Sequence, residues 1–335
     1  MSRHPVGILA TGSYVPGTVV GNEDLASGLD VTTEWIERKT AIKSRRYAAP
    51  SQATSDLAIA AATGALDQIG LPAGRLDYII VPTTTPDAPL PPVSCLVQSA
   101  LGAHRAACFD INIGCSGFVV GLDVAAKLVA DRPGSYALVV AAEIWSRFTD
   151  PKERGTRVLL ADGAGAAVVG HVPEPYGIVG TDLLGHGDQS ELLVIDAGGS
   201  RNPASHRTVD EGGHYLRMRG RDVTDYVRGK VPQAVKELLA RTGVGQTDVD
   251  HFVPHQANGV LLRDLADEAG LENARTHLTI EEFGNSGAAS LPVTLDHANR
   301  AGELRDGDTV LLAAFGGGMA LGASVLRWRA TGGPS

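Results

Sequence analysis

The sequence predicts an α/β protein built from two similar halves. Short apolar runs alternate with longer stretches of helical periodicity, which is typical of a largely buried sheet covered by helices. Some of these runs recur half a chain apart: Cys115-Ser116-Gly117 is matched by Asn285-Ser286-Gly287, 170 residues later in a chain of 335. Recurrence at a nearly constant spacing indicates a duplicated structural unit.

A second pair of runs supports the duplication. Val81-Pro82-Thr83 aligns with Val253-Pro254-His255 at a spacing of 172 residues. A two-fold relation between the halves would place equivalent loops face to face. Cys115, His255 and Asn285 could therefore share one site although they lie far apart in the sequence.

The individual elements follow from the same periodicities. Predicted strands in the first half are Gly7–Tyr14, Asp77–Pro82, Ala107–Asn112, Tyr136–Ala141 and Ala164–Gly170. Those in the second half are Gly177–Leu184, Leu192–Ala197, His251–Pro254, Thr309–Ala314 and Gly322–Trp328. Predicted helices are Thr54–Ile69, Ser116–Ala130, Val223–Thr242, Gly259–Ala269 and Ala288–Ala301. Prolines near Val172-Pro173-Glu174-Pro175 interrupt both patterns, so we divide the chain into halves 1–172, with the cysteine, and 173–335, with the histidine and asparagine.

Composition indicates a globular protein rather than a membrane or nucleic-acid-binding one. Hydrophobic residues make up 43% of the chain, enough for a large core, and no apolar run approaches the roughly 20 residues that span a bilayer. The first residues show no signal-peptide pattern, so we expect a soluble cytoplasmic protein. The net charge of −9 argues against nucleic-acid binding. Cys95, Cys108 and Cys115 have no C-x-x-C spacing and are predicted to be free thiols.

Cys115 lies at a predicted strand-to-helix turn. The positive end of the helix dipole would favour the thiolate there and supply backbone N–H groups, which is how a nucleophile is prepared. A buried structural cysteine is the alternative, and it is the commonest fate of a free thiol. The turn alone leaves both interpretations open, whereas Cys95 and Cys108, inside apolar segments, favour the structural one.

His255 and Asn285 each have an ordinary structural explanation. A single histidine is more often a satisfied core or surface residue, and Asn285 on its own resembles a helix N-cap. Together with Cys115 they form a thiol, an imidazole and an amide at related strand ends. That set suggests acyl transfer through a thioester, with neutral hydrogen-bond donors stabilising the developing negative charge.

Several short motifs follow one another along nearly the whole chain. They are Glu34-Trp35-Ile36, Asp110-Ile111-Asn112-Ile113-Gly114-Cys115-Ser116-Gly117-Phe118, Asp150 with Arg154-Gly155-Thr156, Asp162-Gly163-Ala164-Gly165-Ala166-Ala167, Pro254-His255-Gln256-Ala257-Asn258, Gly284-Asn285-Ser286-Gly287-Ala288-Ala289-Ser290 and Phe315-Gly316-Gly317-Gly318. In this order they resemble the motifs of the β-ketoacyl-ACP synthase III family, within the thiolase superfamily. The resemblance implies a thiolase fold, in which two pseudo-symmetric βαβαβαββ halves form a five-layered αβαβα core.

The same resemblance implies an acyltransferase that performs a ping-pong decarboxylative Claisen condensation and starts fatty-acid or polyketide chains. Cys115 would take the acyl group of an acyl-CoA, and a malonyl group on acyl carrier protein would lose CO₂ and attack it. His255 and Asn285 would stabilise the enolate, while the N–H groups of Cys115 and Gly317 would form the oxyanion hole. No metal or redox cofactor is implied, because the departure of CO₂ generates the carbon nucleophile.

A binding site for CoA is implied as well. The implied contacts are Trp35 stacked on the adenine with Arg154 on its other face, Asn258 on the pantetheine arm, Gly220 on the substrate, and Phe315 by the reactive centre. Lys39 stands where the family often has arginine. It would give phosphate a point charge without the guanidinium fork.

Two departures from the family's pattern concern the acyl pocket. Leu90 stands where some members carry a phenylalanine that limits the pocket, and Met319 replaces a common aromatic residue after the glycines. We expect a slightly roomier or more adaptable pocket. The resemblance further implies a homodimer, with the segment from Thr84 to Leu90 reaching toward the neighbour's acyl pocket.

A third departure concerns the carrier of the malonyl group. Members that dock acyl carrier protein often have basic residues on the helix after His255, whereas Arg263-Asp264-Leu265-Ala266-Asp267-Glu268 is mostly acidic. Carrier protein is itself acidic, so like charges would weaken docking. Either another patch, such as the run from Arg217 to Lys230, does the docking, or the extender arrives differently.

Other functions remain to be weighed against condensation. Family members that act as acyltransferases pass the acyl group to a hydroxyl or amine and can lose the asparagine, so retained Asn285 favours condensation. A thiolase proper would need a second reactive cysteine near Gly316-Gly317-Gly318, and none is present there. A non-catalytic partner subunit would lack Cys115.

Overall fold

Two five-stranded sheets organise the protein in a computed structural model, which describes residues 5–330. The strands are β1 (Val6–Tyr14), β2 (Thr18–Gly21), β3 (Ser44–Tyr47), β4 (Tyr78–Pro82), β5 (Ala107–Ile111), β6 (Ala137–Ile144), β7 (Asp162–His171), β8 (Gly177–Gly185), β9 (Leu193–Ile195), β10 (Leu216–Met218), β11 (His251–Pro254), β12 (Arg275–Thr276), β13 (Thr309–Gly316) and β14 (Ala320–Arg327). The helices are α1 (Asn22–Leu29), α2 (Thr33–Thr40), α3 (Thr54–Gln68), α4 (Val93–Leu101), α5 (Gly117–Val129), α6 (Arg154–Arg157), α7 (His206–Asp210), α8 (Gly220–Thr242), α9 (Gly259–Glu268), α10 (Ile280–Phe283) and α11 (Ser290–Arg300).

The two sheets have the same topology. The first has the order β1-β7-β6-β4-β5, and the second, read from its other edge, has the order β8-β14-β13-β11-β12. In the first sheet β4 runs parallel to β5 and β6, and in the second β11 runs parallel to β12 and β13, whereas the other pairings are antiparallel. The duplicated α/β unit is therefore confirmed, and the proposed boundary at residues 172 and 173 falls in the loop between β7 and β8.

Helices fill three layers around the sheets. The outer face of the first sheet packs against α3 and α4, and the outer face of the second packs against α8 and α9. Helices α5 and α11 lie between the sheets, where Phe118 and Leu295 are buried against strands of both halves. Burial of each such large side chain is worth about 1.5–3 kcal/mol. This arrangement is the predicted five-layered αβαβα core of the thiolase fold.

Strand β4 shows why its residues form a buried strand. Ile79 and Val81 face the outer core with α3 and α4, whereas Ile80 faces the central core with α5. Successive side chains of a strand point to opposite faces, so a strand covered on both faces needs an unbroken apolar run. That run made β4 predictable.

The short elements differ from the predictions. The strand expected at Leu192–Ala197 is reduced to β9, which pairs with β10 outside the two main sheets. Helices α1, α2 and α4 and the β2–β3 hairpin were not predicted. Helix α2 buries only Ile36 and Thr40, too few positions to produce a periodic pattern.

Between residues 5 and 330, none of the helices combines the length and the apolar character needed to cross a bilayer. All three cysteines are unbridged, as predicted.

Candidate active site

A cavity of about 790 Å³ takes its walls from both halves. Cys115, His255 and Asn285 all line it, as do Phe315 and Gly317. Cys115 follows β5 and His255 directly follows β11, so equivalent strand ends of the two sheets meet at this cavity. The structure thus brings together the three side chains that the internal repeat pointed to.

Glycines allow the loop after β13 to approach Cys115 closely. A Cβ on Gly316 would lie 2.7 Å from Cys115 Cβ and 2.8 Å from its Sγ. Gly114 has a φ of +55°, and a Cβ there would lie 2.9 Å from the carbonyl oxygen of Gly317. Both positions exclude a side chain on steric grounds, and Gly114 also on conformational grounds. The backbone at Gly316 and Gly317 can therefore lie directly against Cys115.

The electrostatics of Cys115 differ from the expectation. Burial and, to a lesser extent, the Glu143 carboxyl raise the pKa of its thiol to about 12, although backbone N–H groups of Gly317 and Cys115 oppose the rise. The prediction that the helix end would keep a thiolate was therefore wrong for the resting site, because desolvation outweighs it. The two N–H groups that lower the pKa of the thiol belong to Cys115 and Gly317, the residues assigned to the oxyanion hole.

His255 is held as a neutral ring. Its Nδ1 lies 2.7 Å from Ser290 Oγ, which accepts a hydrogen bond from the backbone N–H of Gln256 at 3.0 Å. The Ser290 hydroxyl is then free to donate to Nδ1, so we assign the ring proton to Nε2. Burial lowers the pKa of His255 to about 3, and a backbone hydrogen bond at Gly287 opposes this in part. Phe315 packs edge-on against the ring with centroids 5.5 Å apart.

Asn285 is fixed by hydrogen bonds at both ends of its side-chain amide. Its Oδ1 accepts from the N–H of Gly287 at 2.9 Å, and its Nδ2 donates to the carbonyl of Ala257 at 3.2 Å. The backbone of Asn285 is also bonded to Leu159 and Ala161 on the neighbouring segment. An amide nitrogen carries two hydrogens, so one N–H remains to serve a ligand in the cavity. The structural and the catalytic interpretations of this residue therefore coexist.

Sequence reasoning missed Ser290 and Glu143. Glu143 is fully buried and accepts hydrogen bonds from the N–H groups of Thr84 and Thr85 and from the Thr85 hydroxyl. Burial raises its pKa to about 8. The position of Glu143 inside the apolar run of β6 could have indicated a special role, because a glutamate is rarely buried unless its carboxyl group has a partner. Ser290 carried no signal beyond its place in the Asn285 motif.

The predicted CoA residues surround the outer part of the cavity, with one difference. Trp35, Lys39, Gly220 and Asn258 line it, whereas Arg154 does not. The Arg154 guanidinium carbon lies 5.4 Å from the centre of the Trp35 ring. An adenine ring stacked between these two groups needs about 3.5 Å to each of them, which is more than the present separation allows. Arg154 must therefore move outward to admit an adenine.

Asn258 has a structural role in addition to the predicted one. Its Oδ1 accepts from the N–H groups of Val260 and Leu261 and so caps α9, and its Nδ2 donates to the carbonyl of Lys39 at 3.0 Å. The side chain thus ties the end of α2 to the start of α9. This bond holds the two walls of the cavity mouth together.

The two positions expected to shape the acyl pocket lie outside the cavity wall. Met319 is fully buried in the core of the second sheet. Leu90 is 78% exposed, so in its own chain it limits no pocket. Its assignment to the neighbour's pocket, the roomier pocket and the expectation that no cofactor is needed all stay predictions.

Comparisons with known proteins agree with this geometry. The family model described as 3-oxoacyl-[acyl-carrier-protein (ACP)] synthase III matches residues 109–187, and the model of that family's C-terminal part matches residues 239–328. The acetoacetyl CoA synthase NphT7 of a Streptomyces species is 45% identical over 96% of this chain and 98% of its own. A β-ketoacyl-[acyl-carrier-protein] synthase III of Caldanaerobacter subterraneus is 44% identical over 96% and 97%.

Solved structures show the same likeness. The 3-oxoacyl-[acyl-carrier-protein] synthase III of Aquifex aeolicus has a TM-score of 0.88 at 35% identity, covering 96% of this chain and 100% of that one. The priming β-ketosynthase of the R1128 polyketide pathway has a TM-score of 0.91 at 32% identity, covering 98% of each chain.

Proposed function

The chain belongs to the 3-oxoacyl-ACP synthase III family, and on that premise we propose the reaction and the role of each residue in the cavity. The protein is a ketosynthase-type acyltransferase. It joins an acyl group from acyl-CoA to the two carbons that remain when a malonyl thioester loses CO₂. The relative named β-ketoacyl-[acyl-carrier-protein] synthase III and the solved priming β-ketosynthase of a polyketide pathway fit the same reaction class.

In the first half-reaction Cys115 becomes acylated. Its sulfur attacks the carbonyl carbon of acyl-CoA, the bond from that carbon to the CoA sulfur breaks, and the thiol proton leaves with CoA. The negative charge on the carbonyl oxygen is taken up by the N–H groups of Cys115 and Gly317, which already favour negative charge at the sulfur.

In the second half-reaction the malonyl thioester provides a carbanion. The bond to its carboxylate breaks, CO₂ leaves, and the electron pair forms an enolate. His255 Nε2–H and the spare N–H of Asn285 hydrogen-bond the enolate oxygen. The carbanion then attacks the acyl carbon, and Cys115 leaves and takes up a proton. A neutral histidine suits this role, because it donates a hydrogen bond without transferring its proton.

One observation favours condensation over acyl transfer to a hydroxyl or amine. Asn285 is retained, is fixed at both ends of its amide and keeps one N–H for a ligand in the cavity. Acyl transfer to oxygen or nitrogen forms no enolate, so it needs no such pair of donors. The site therefore favours condensation.

The test is a joint measurement of CO₂ and of the new carbon skeleton. The protein is incubated with an acyl-CoA and a malonyl thioester labelled in its free carboxyl group. We expect one labelled CO₂ for each β-ketoacyl product. An acyl ester or amide formed without release of CO₂ would instead identify the alternative acyltransferase.

The neutral state of His255 predicts the pH dependence. The pKa of about 3 lies below the ordinary 6.5, so the folded protein disfavours the charged ring. Its contribution to stability is complete above pH 6.5 and is lost as the pH falls from 6.5 toward 3. In the folded protein the ring is neutral both above and below pH 6.5, so the rate of CO₂ release should show no inflection near that pH. An inflection there that disappears in His255→Asn would contradict this assignment.

A homodimer fits the free edge of the first sheet. Within residues 5–330, β5 pairs with β4 on one side and with no strand on the other. An unpaired strand edge is a template for a second chain, and exposed Leu90 lies in the segment expected to reach that chain. We therefore propose pairing of two copies along β5. Acyl carrier protein as a partner and a cytoplasmic location stay predictions.

A further inference from the structure

Glu143, near the end of β6, is a buried acid that the proposed reaction does not use. Its side chain is fully buried, and every other residue of the strand is apolar. A buried carboxyl group is tolerated only where hydrogen bonds or charges compensate it. Within residues 5–330, the hydrogen bonds that it accepts all come from the segment that follows β4. The side chain therefore has a defined structural target.

That target is the turn formed by Thr84 and Thr85. One carboxyl oxygen accepts from the N–H of Thr84 at 3.0 Å, and the other accepts from the N–H of Thr85 at 3.1 Å and from its hydroxyl at 2.6 Å. The Thr85 hydroxyl itself accepts from the N–H of Ile144, the residue after Glu143, at 2.9 Å. These hydrogen bonds hold the turn against the end of β6.

Thr84 extends this contact to the loop that carries the nucleophile. Its hydroxyl donates to Asn112 Oδ1 at 3.3 Å, and both residues line the cavity together with Cys115. Asn112 begins the loop that leads from β5 to Cys115. A path of hydrogen bonds therefore runs from Glu143 through Thr84 to the cysteine loop.

Glu143 also packs against the turn that holds Asn285. A Cβ on Gly287 would lie 3.3 Å from Glu143 Cγ, and the N–H of Gly287 donates to Asn285 Oδ1 at 2.9 Å. The glutamate thus lies between the segment that carries the nucleophile and the segment that carries a donor for the enolate. A change in its side chain reaches both.

We propose that Glu143 is a positioning residue for acylation: its carboxyl group holds the Thr84–Thr85 turn, and the turn holds the Cys115 loop in the geometry for attack on acyl-CoA. This inference rests on the proposed function. Glu143 takes part in no bond that forms or breaks. Misplacement of a reacting atom by about 1 Å costs about 10²-fold in rate, so a residue that holds the cysteine loop affects the rate without touching the substrate.

The carboxyl group also acts on the sulfur through its charge. After burial, it is the second cause of the raised pKa of the Cys115 thiol. Other titratable groups around these two are His255 and Lys39 on the cavity wall and Asp162 on the neighbouring strand β7. The ring of His255 is neutral, because burial lowers its pKa to about 3. The reactivity of the thiol therefore gives a readout that a purely structural side chain would not change.

Glu143→Asp tests the reach of the side chain. The variant keeps the carboxyl group but shortens the side chain by one carbon, which weakens its hydrogen bonds to the turn. The maximal rate of acylation should fall at least about 10-fold, whereas the half-saturating concentration of acyl-CoA should change less than about three-fold. The reason is that the predicted CoA contacts, Trp35 and Asn258, lie on the outer part of the cavity. An unchanged maximal rate, or a loss in saturation alone, overturns the inference.

Glu143→Gln tests the charge at nearly constant size. At pH 9 the wild-type carboxyl group, with a pKa of about 8, is largely ionised. Alkylation of Cys115 by iodoacetamide at this pH should be about 10-fold faster in the variant, because the thiolate no longer forms beside a like charge. The peptide that contains Cys115 is quantified by mass spectrometry, so that the other two thiols do not contribute.

Asp162→Asn is the matched control. Asp162 is also buried and accepts hydrogen bonds from the N–H groups of Ala48 and Ser146, but it is not among the groups that raise the pKa of Cys115. This variant should leave alkylation at pH 9 within about two-fold, even where its melting temperature falls. Equal acceleration in Asp162→Asn and Glu143→Gln, or none in Glu143→Gln, overturns the inference. A wild-type protein that acyl-CoA fails to acylate overturns the proposed function instead, and alkylation distinguishes the two failures.

Discussion

Cys115→Ala should abolish acylation of the protein and reduce condensation by about 10³-fold or more, because the attacking atom is removed. The site is built around this sulfur, since the glycines at 114 and 316 let the Gly317 backbone reach it. Intact-mass measurement after exposure to a panel of acyl-CoAs gives the readout. The wild-type protein should gain one acyl group, and the chain length that reacts fastest identifies the starter.

Matched controls are available in the other two thiols. Cys95 and Cys108 lie 3.6 Å apart, sulfur to sulfur, on α4 and β5 and outside the cavity wall. Cys95→Ala and Cys108→Ala should each keep the full mass shift. Acylation that persists in Cys115→Ala, or disappears in either control, would contradict the assignment of the nucleophile.

The same variant separates the two half-reactions. The groups assigned to the enolate, His255 and Asn285, make their hydrogen bonds to Ser290, Gly287 and Ala257 and none to Cys115. Cys115→Ala should therefore still release CO₂ from the malonyl thioester, without forming a carbon–carbon bond. Loss of both activities would mean that the sulfur also organises the decarboxylation site.

The fold was predictable because its signal is local and repeated. Continuous apolar runs such as that of β4 reflect burial on both faces, and the spacing of about 170 residues between motifs reflects two copies of one unit. A two-fold relation between the halves would place equivalent loops face to face, so a shared site for Cys115 and His255 could be proposed from the sequence. No knowledge of side-chain contacts was needed for either inference.

The electrostatics of the site were not predictable in the same way. The high pKa of the Cys115 thiol depends on desolvation and on Glu143, which comes from β6. The neutral state of His255 depends on burial, and the assignment of its proton to Nε2 depends on Ser290, 35 positions away. Both pKa values depend on groups that only tertiary packing brings close to the side chain. A local rule based on the helix end therefore gave the wrong protonation state.

The charge of the cavity mouth shows the same limit. The acids of α9 were visible in the sequence, and so were the cations of α8. Their mutual neutralisation was not, because Arg228 meets Asp264 and Glu268 across separations of 36 and 40 residues. These pairs leave neither helix with a surface of a single charge, and the docking surface for a carrier protein stays a prediction.

Asn285→Asp should stop decarboxylation while acylation continues. The new carboxylate can still accept from the Gly287 N–H, but it loses both amide hydrogens and sets a negative charge beside the enolate. Loss of one preorganised donor costs about 10²–10³-fold in rate, or about 2.7–4 kcal/mol. We therefore expect CO₂ release to fall by at least that factor, with the Cys115 mass shift retained within about three-fold.

Acylation serves as the internal control for this variant, because a collapsed site would lose both steps. Asn285→Ala removes the Gly287 hydrogen bond as well and should lower the melting temperature, whereas Asn285→Asp should lower it less. CO₂ release at the wild-type rate in Asn285→Asp would assign the enolate to His255 alone. It would also remove the observation that favours condensation over acyl transfer, because a donor that the reaction does not use cannot distinguish the two.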